Sequence, residues 1–373
     1  MINGLGLGNS TRCHAVIEKL AEMGFNIHVL TSGNGLAYFH KLKSVQSLAA
    51  TRSLFYTARN GKISGWATLK SLFSLVAIAQ DKRACLEMLL DQIQPAFAVV
   101  DSEYTVSPLR RRRIPIIALN TSEIVVTQYL KHRCAAKGVR SHFWFVEFAD
   151  YLFHKHRCDL VLSPFPLRTP TRHAKFRRIG LIARQSVLDR ATSTACSMFP
   201  SPRQLRRVVF MLSGSIHASS IPFEMYNLPF KVEVVGRAGE SSSRVTYHGR
   251  QMDNNELLGG ADALVINGGY SAVSEAFVLR KPVFVVPVPG HAEQFVNACL
   301  VRDLGLGFVA TETDVLDQLL RMYERDRWDG PNEQLPAFEI DGAREAATAI
   351  KVFAAEHMAR AGLAQSEPKS AWG

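Results

Sequence analysis

The sequence predicts an α/β protein with two Rossmann-like, doubly wound domains, each built on a parallel sheet. Short apolar segments alternate with helically spaced ones, and the alternation restarts near residue 207. Apolar strands without polar alternation are typical of parallel sheets covered on both faces, and strands separated by helices give the doubly wound class. A chain of 373 residues is also longer than a single core usually supports.

The first half contains the elements of one such domain. Apolar residues at helical spacing between positions 15 and 23 predict the first helix. Strands are predicted at Phe25–Leu30, Ala96–Val100, Ile114–Leu119 and Leu160–Ser163. The chain opens on the glycine-rich segment Asn3–Gly8, where a βαβ domain has normally completed its first strand. We therefore expect that strand to be missing or to lie upstream of Met1; a first strand supplied in another way is the alternative.

The second half repeats the pattern. Strands are predicted at Val208–Leu212, Phe230–Val235, Val245–His248, Ala263–Ile266 and Val283–Val286. Residues 192–206 carry Ser, Thr and two prolines without apolar periodicity, which indicates a linker. Residues 1–191 are therefore assigned to an N-terminal domain, 207–342 to a C-terminal domain, 343–358 to a last helix and 359–373 to a disordered tail.

Composition and charge narrow the class of protein. Hydrophobic and charged fractions of 47% and 21% are ordinary for a soluble globular protein, and no apolar run reaches the roughly 18 to 20 residues of a membrane span. The six scattered cysteines predict reduced thiols and a cytoplasmic location. Residues 1–185 hold 26 Lys and Arg against 11 Asp and Glu, whereas the remainder holds 18 against 22. This basic first half predicts an anionic partner: a membrane surface, a lipid phosphate or a nucleic acid.

The most informative segment is Ala261–Ala276 (ADALVINGGYSAVSEA). An apolar strand ends in Asn267–Gly269, and a helix is predicted to begin near Ser271. Glycines let the backbone approach a ligand closely, and the free N–H groups at the start of a helix bind anions such as a diphosphate. Glu275, one turn further, is placed to accept hydrogen bonds from ribose hydroxyls. The alternative is a plain glycine turn with Glu275 on a solvated face.

A second loop favours the ligand-binding interpretation. The strand Val283–Val286 leads to Pro289–Gln294 (PGHAEQ) at the same edge of the sheet. In open α/β sheets, ligands bind outside the carboxyl ends of the strands. An acidic residue beside a glutamine, here Glu293 and Gln294, can hold several sugar hydroxyls.

These segments resemble a known family. The strand with NGGYSAVSE, then RKPVFVVPVPGHAEQFVNA and GLGFV, is similar to the donor-binding half of GT-B glycosyltransferases. The closest likeness is to the group of the peptidoglycan N-acetylglucosaminyltransferase and the glucuronosyltransferase-like enzymes, and it extends over nearly the whole chain. It implies a metal-independent transfer of a sugar, without a cofactor, from a nucleotide donor, expected to be UDP-linked, to a hydroxyl acceptor.

The resemblance also implies roles for individual residues. Its donor-site residues are the diphosphate contacts Gly268 and Gly269, the ribose contact Glu275, the sugar contacts Glu293 and Gln294, and a second phosphate loop at Ser213, Gly214 and Ser215, with Asn267, Ser271 and His291 beside them. Two departures stand out. Many relatives have a histidine at the position of Asn267, and the spacing from Pro287 to Glu293 is longer than in the plant-type motif.

The acceptor side lacks the expected base. The run GLGLGNSTRCHAV resembles the family's glycine-rich first loop, with Gly6, Gly8 and Arg12 as acceptor or phosphate contacts, but Asn9 stands where relatives often carry a histidine. An amide does not take a proton at neutral pH, and inversion needs a base near the acceptor hydroxyl. The candidates to replace it are Asp101, Glu103 and His14, with Glu123 as a weaker one. Structural roles for each are the alternative.

An aromatic cluster suggests where the acceptor comes from. Several aromatic residues between Phe143 and Phe153 lie among basic neighbours such as Arg140, and Arg110–Arg113 is a run of arginines. Core-facing and solvated helices are the alternative. With the basic first half, the cluster predicts peripheral contact with anionic lipid at the inner face of the plasma membrane, and a polyprenyl- or lipid-linked acceptor. No nucleic-acid motif and no metal-ligand spacing is seen.

Two other functions fit the same sequence. The fold also hosts nucleotide-sugar epimerases and hydrolases, and the absence of a histidine at Asn9 leaves that class open. A non-catalytic nucleotide-sugar-binding subunit is the other alternative.

Overall fold

The predicted fold class is confirmed by parallel sheets of six and four strands, together with one further parallel pair of strands, in the part of the chain that the structure describes, with helices between the strands. The computed structural model describes residues 1–4, 6–51, 65–133, 136–193, 201–212, 221–249, 251, 253–329 and 335–360. Its strands are β1 (His28–Thr31), β2 (Ser47–Ala50), β3 (Ala98–Val100), β4 (Ile116–Leu119), β5 (Leu160–Pro164), β6 (Phe176–Ile179), β7 (Arg207–Met211), β8 (Lys231–Val235), β9 (Val245–Tyr247), β10 (Ala263–Ile266), β11 (Val283–Val285) and β12 (Gly307–Val309).

The helices alternate with these strands. They are α1 (Leu7–Glu22), α2 (Asn34–Phe39), α3 (Gly65–Ile93), α4 (Ser107–Arg111), α5 (Ser122–His132), α6 (Arg140–His142), α7 (Phe148–Arg157), α8 (Gln185–Ser193), α9 (Asn255–Gly260), α10 (Tyr270–Leu279), α11 (Ala292–Asp303), α12 (Val315–Arg325) and α13 (Gly342–Arg360). A π-helical turn, Phe143–Glu147, joins α6 to α7. Among the helices in the described ranges, none is long and apolar enough to cross a bilayer.

The first residues of the chain connect the two groups of strands in the N-terminal domain. Strands β3, β4, β5 and β6 pair in that order, and β1 pairs with β2. Ile2 forms parallel bridges to both Thr31 and Asp101. Its N–H donates to the Leu30 carbonyl (2.9 Å), and the Asp101 N–H donates to the Met1 carbonyl (3.0 Å). Residues 1–3 therefore occupy the position between β1 and β3.

The C-terminal sheet has the strand order β12-β11-β10-β7-β8-β9, all parallel. The order reverses between β7 and β10, so the crevice outside their carboxyl ends is the place where open α/β sheets bind ligands. The loop after β10 is Asn267–Gly269. Ser213, Gly214 and Ser215, predicted as the second phosphate loop, lie outside the described residues.

Two helices, α8 and α13, each follow one domain in sequence but pack against the other domain. Ala346 and Ile350 of α13 pack with Val16 of α1, so the last helix returns to the N-terminal domain. Val187 of α8 packs with Phe277 of α10 in the C-terminal domain. The domain limits drawn from the sequence stay a prediction. Within the described ranges the four cysteines are free thiols, and Cys134 and Cys196 lie outside those ranges.

Candidate active site

The glycine turn after β10 has a conformation that requires glycine. Gly268 has a φ of +83°, in the left-handed region that side chains rarely adopt. A Cβ atom there would lie 2.8 Å from Cγ1 of Val285 and 3.1 Å from the carbonyl oxygen of Gln294. Gly269 has a φ of −61° and caps α10 without a side-chain hydrogen bond. No side chain of the capping residue therefore satisfies the first N–H groups of α10.

Two buried asparagines hold this turn. Asn297 of α11 donates from Nδ2 to the Gly268 carbonyl (2.9 Å). Asn267 donates from Nδ2 to the Val286 carbonyl (3.0 Å), and its Oδ1 is buried without a hydrogen-bond partner within the described ranges. The side chain of Asn267 therefore points into the protein and joins β10 to the loop after β11.

The start of α10 meets the glycine loop of the other domain. Ser271 donates from Oγ to the Gly8 carbonyl (2.9 Å), and the Tyr270 hydroxyl donates to the Pro164 carbonyl. A Cβ on Gly8 would lie 3.1 Å from Oγ of Ser271, so glycine permits this close approach. Gly6, which caps α1, has open space around it.

Glu275, the predicted ribose contact, is engaged in an ion pair. Its two oxygens accept from Nε (2.6 Å) and Nη2 (2.9 Å) of Arg184. Arg184 also donates to Oδ1 of Asn254 (2.7 Å). The ion pair fixes the Glu275 carboxylate on α10 beside Arg184 and Asn254.

The second predicted loop is held by its own side chains. Nδ1 of His291 caps α11 by accepting from the Gln294 N–H (3.5 Å), and Oε1 of Gln294 accepts from the Val288 N–H (2.8 Å). Burial, followed by the charge of His142, lowers the pKa of His291 to about 4. His291 is therefore neutral at physiological pH.

Glu293 faces Glu147, which the sequence did not single out. The Glu293 N–H donates to the Glu147 carboxylate. Burial, followed by the charges of Glu293 and Asp150, raises the pKa of Glu147, and burial, followed by the charges of Asp150 and Asp101, raises the pKa of Glu293. Glu293 is half-buried and also interacts with Arg12. The spacing of Glu147 in sequence gives no signal, because it comes close to Glu293 only through the docking of the two domains.

The candidate base Asp101 is fully buried in an ion pair. Its oxygens accept from Nη2 (2.6 Å) and Nε (2.9 Å) of Arg12, and the Cys13 thiol donates to Oδ2 (3.2 Å). Arg12 also donates to Oδ1 of Asn9 (3.4 Å). Burial and then the charge of Asp101 raise the pKa of Cys13. Arg12 and Asn9 thus belong to one network around Asp101.

The other acidic candidates are ion-paired as well. Glu103 accepts from Nζ of Lys82 (2.6 Å), and Oε2 of Glu123 lies 2.5 Å from Nη2 of Arg178.

His14 differs, because its partners are not cationic. Its Nδ1 lies 2.9 Å from the Tyr38 hydroxyl, and its Nε2 lies 3.1 Å from Oε1 of Glu18.

Comparison with known proteins decides the family. The model of glycosyl transferase family 1 matches residues 1–165 and 209–323. The chain belongs to glycosyl transferase family 1. An uncharacterised glycosyltransferase of Methanopyrus kandleri is 42% identical over 59 residues, a stretch that covers 16% of this chain and only 17% of that relative.

Solved structures show the same fold. The spinosyn forosaminyltransferase SpnP superposes with a TM-score of 0.60 at 13% identity, over 95% of this chain and 99% of its own. LpCGTa, solved in complex with UDP, has a TM-score of 0.55 at 14% identity, over 94% and 92%. This glycosyltransferase therefore has the GT-B architecture, which confirms the predicted resemblance and enzyme class.

Proposed function

We propose that this enzyme transfers a sugar, without a metal or cofactor, from a UDP-linked donor to a hydroxyl acceptor. The observation that carries the proposal is the Gly268–Gly269 turn, which lies at the switch point of the C-terminal sheet and is pinned to α11 by Asn297. Its free N–H groups and the positive end of α10 suit a diphosphate. That LpCGTa was solved with UDP supports this choice of nucleotide.

The remaining donor contacts follow from the same placement. Glu275, one turn into α10, would accept from the ribose hydroxyls, and Glu293 with Gln294 would hold the sugar. Glu293 is the better placed of the two, because Oε1 of Gln294 already accepts from the Val288 N–H. Gly8 would approach the phosphates from the opposite domain, since it already contacts Ser271.

Among the base candidates, His14 is the one we favour. A base must hold an unshared electron pair toward the acceptor hydroxyl. Asp101 and Glu103 are each neutralised by a cationic side chain, whereas Nε2 of His14 is paired with Glu18, an anion that would stabilise the imidazolium formed during transfer. Nδ1 of His14 would take the proton if the acceptor hydroxyl replaced its present partner, the Tyr38 hydroxyl. Replacing His14 by Gln should lower kcat and leave the affinity for UDP unchanged. A kcat equal to that of wild type would mean that one of the carboxylates is the base instead.

A lipid-linked acceptor fits the surface next to the cleft. Phe145 is 81% exposed and Trp144 46% exposed on the π-helical turn, with the exposed Arg140 before them, while Phe143 and Tyr151 are buried. Aromatic side chains among basic ones suit the interface of an anionic membrane. We therefore propose peripheral contact at the inner face of the plasma membrane.

Vesicle flotation would test this contact. Wild type should float with vesicles containing anionic lipid and not with neutral vesicles, and Phe145→Ser should remain in the soluble fraction. Met225→Ser is a matched control, because Met225 is 78% exposed on the other domain. Equal flotation of all three proteins would refute the membrane proposal.

Calorimetry followed by turnover tests the donor proposal. UDP should bind more tightly than ADP or GDP, and no binding by any nucleotide would reject a nucleotide-sugar site. Diphosphate release from UDP-sugars that depends on a lipid extract supports the transferase. Diphosphate release without an acceptor would indicate a hydrolase, and conversion of the donor sugar to an isomer would indicate an epimerase. Binding without any reaction would indicate a non-catalytic subunit.

A further inference from the structure

We propose that His142, Glu147 and His291 form a site for a transition-metal ion, with Zn²⁺ the best match, that bridges the two domains. Each residue offers one ligand atom, and the three atoms lie within 4.8 Å of one another. Two imidazoles and a carboxylate are a donor set that Zn²⁺ takes in proteins, with a fourth position left to water. His142 and Glu147 come from the N-terminal domain, and His291 caps α11 in the C-terminal domain.

The side chains are already close to a coordination geometry. Bonds of 2.0–2.1 Å in a tetrahedron place neighbouring ligand atoms about 3.3 Å apart, and Nδ1 of His142 lies 3.4 Å from Oε1 of Glu147. The His142 and His291 rings have centroids 4.7 Å apart. Both histidines are half-buried, so ring rotation can supply the remaining contraction of at most about 1.5 Å.

The π-helical turn explains how two of these ligands meet. His142 and Glu147 are five residues apart, and in an α-helix that spacing would separate their directions by about 140°. The π turn at Phe143–Glu147 closes hydrogen bonds between residues five apart and so brings such residues to one face. Turns of this kind are rare and occur frequently at functional sites.

The charge around Glu147 also favours a cation. Glu293 and Asp150 both interact electrostatically with Glu147. The nearby Arg12 is already bound through Nε and Nη2 to Asp101. A divalent ion between His142 and His291 would offset this excess of carboxylates. His142 and Glu147 belong to one domain and His291 to the other, so the ion would hold the domains together, and no step of the proposed transfer uses it.

Cobalt spectroscopy on the full chain, stripped with EDTA, tests the site without reference to turnover. One equivalent of Co²⁺ should give the intense visible bands of a four-coordinate ion, and Zn²⁺ should abolish them. Zn²⁺ should also raise the midpoint of thermal unfolding, because a ligand that binds the folded state stabilises it.

Two variants and a matched control locate the ion. His142→Ala and His291→Asn should each weaken Co²⁺ binding at least tenfold; asparagine keeps the cap of α11. His132→Ala should bind as wild type does, since His132 lies at the same domain contact but pairs with Asp303. Metal-free unfolding midpoints verify that the variants fold. Weak six-coordinate bands in wild type, or equal affinity in all proteins, would overturn the proposal.

Discussion

The two domains prepare their facing loops in opposite ways. On the side where we propose the donor, the strand, Gly268 and α10 present a glycine turn without a side-chain cap. On the acceptor side, the carboxylates that follow strands form ion pairs with basic side chains of the same domain, as Asp101 does with Arg12. A position at the end of a strand is therefore a useful guide to a site where the proposed binding is by the backbone. It is a weaker guide when a side chain has to remain free.

The largest effect on the free energy of unfolding is expected from Arg12→Ala. The change leaves Asp101, which is 0% exposed, as a buried carboxylate without its cation. Breaking a buried ion pair in this way costs about 3–5 kcal/mol, which urea unfolding would measure.

The matched control is the double variant Arg12→Ala with Asp101→Asn. It removes the buried charge, so it should recover part of the lost free energy of unfolding. A loss below about 1 kcal/mol for Arg12→Ala would mean that the pair is no more than a surface ion pair.

The next effect is expected at the donor turn. Gly268→Ala forces an alanine into a positive φ and places its Cβ 2.8 Å from Val285, so backbone strain and overpacking together should cost about 2–4 kcal/mol. Gly269→Ala is the control, since its Cβ meets nothing within 4 Å. Thermal unfolding should separate the two variants, and calorimetry should show weaker UDP binding by Gly269→Ala at unchanged stability. Equal stability of both would remove the special role of Gly268.

Local patterns account for most of what the sequence could predict. The strand at Ala263–Ile266 is confirmed at both ends, because an apolar run followed by two glycines is specified by neighbouring residues alone. The predicted strand at Phe25–Leu30 begins later, at His28, since Gly24 with a φ of +87° turns the chain after α1. An apolar pattern predicts strand boundaries less accurately where a turn of this kind sets them.

Pairings over long sequence distances could not be predicted in this way. Arg184 reaches Glu275 across 91 positions, and Glu147 meets Glu293 only when the domains dock. Such contacts depend on tertiary geometry, which no periodicity encodes. The π turn that positions Glu147 could not be predicted either, because its residue pattern is that of an ordinary α-helix.

A smaller effect, on binding, is expected from Glu275→Ala. If Glu275 accepts from the ribose, its loss should weaken UDP affinity by about 1–3 kcal/mol, as for a hydrogen bond to a charged group. Calorimetry measures the change, and Glu256→Ala on the neighbouring α9 controls for loss of an acidic charge at an exposed position. Unchanged affinity together with lower stability would assign Glu275 to the Arg184 ion pair alone.

The smallest effect concerns the ion pair between the domains, where Lys131 of α5 donates to Asp303 of α11 (2.6 Å). Burial opposes ionisation of Asp303, but hydrogen bonds from Lys131 and Arg302 outweigh it and lower its pKa. A lowered pKa in the folded state stabilises the protein above the ordinary aspartate pKa of about 3.9, and the stabilisation disappears as the pH falls through the lower, folded value.

Asp303→Asn should therefore cost only about 0.2–1 kcal/mol at neutral pH, because Lys131 is exposed and water screens the pair. The difference from wild type in urea unfolding should shrink between pH 5 and pH 3, and should also shrink at high salt. If Asp303→Asn lost as much free energy of unfolding as Arg12→Ala, or lost more as the pH falls, the prediction of a screened surface ion pair would be wrong. In that case the contact between the domains, like the Asp101 network, would depend on a buried charge.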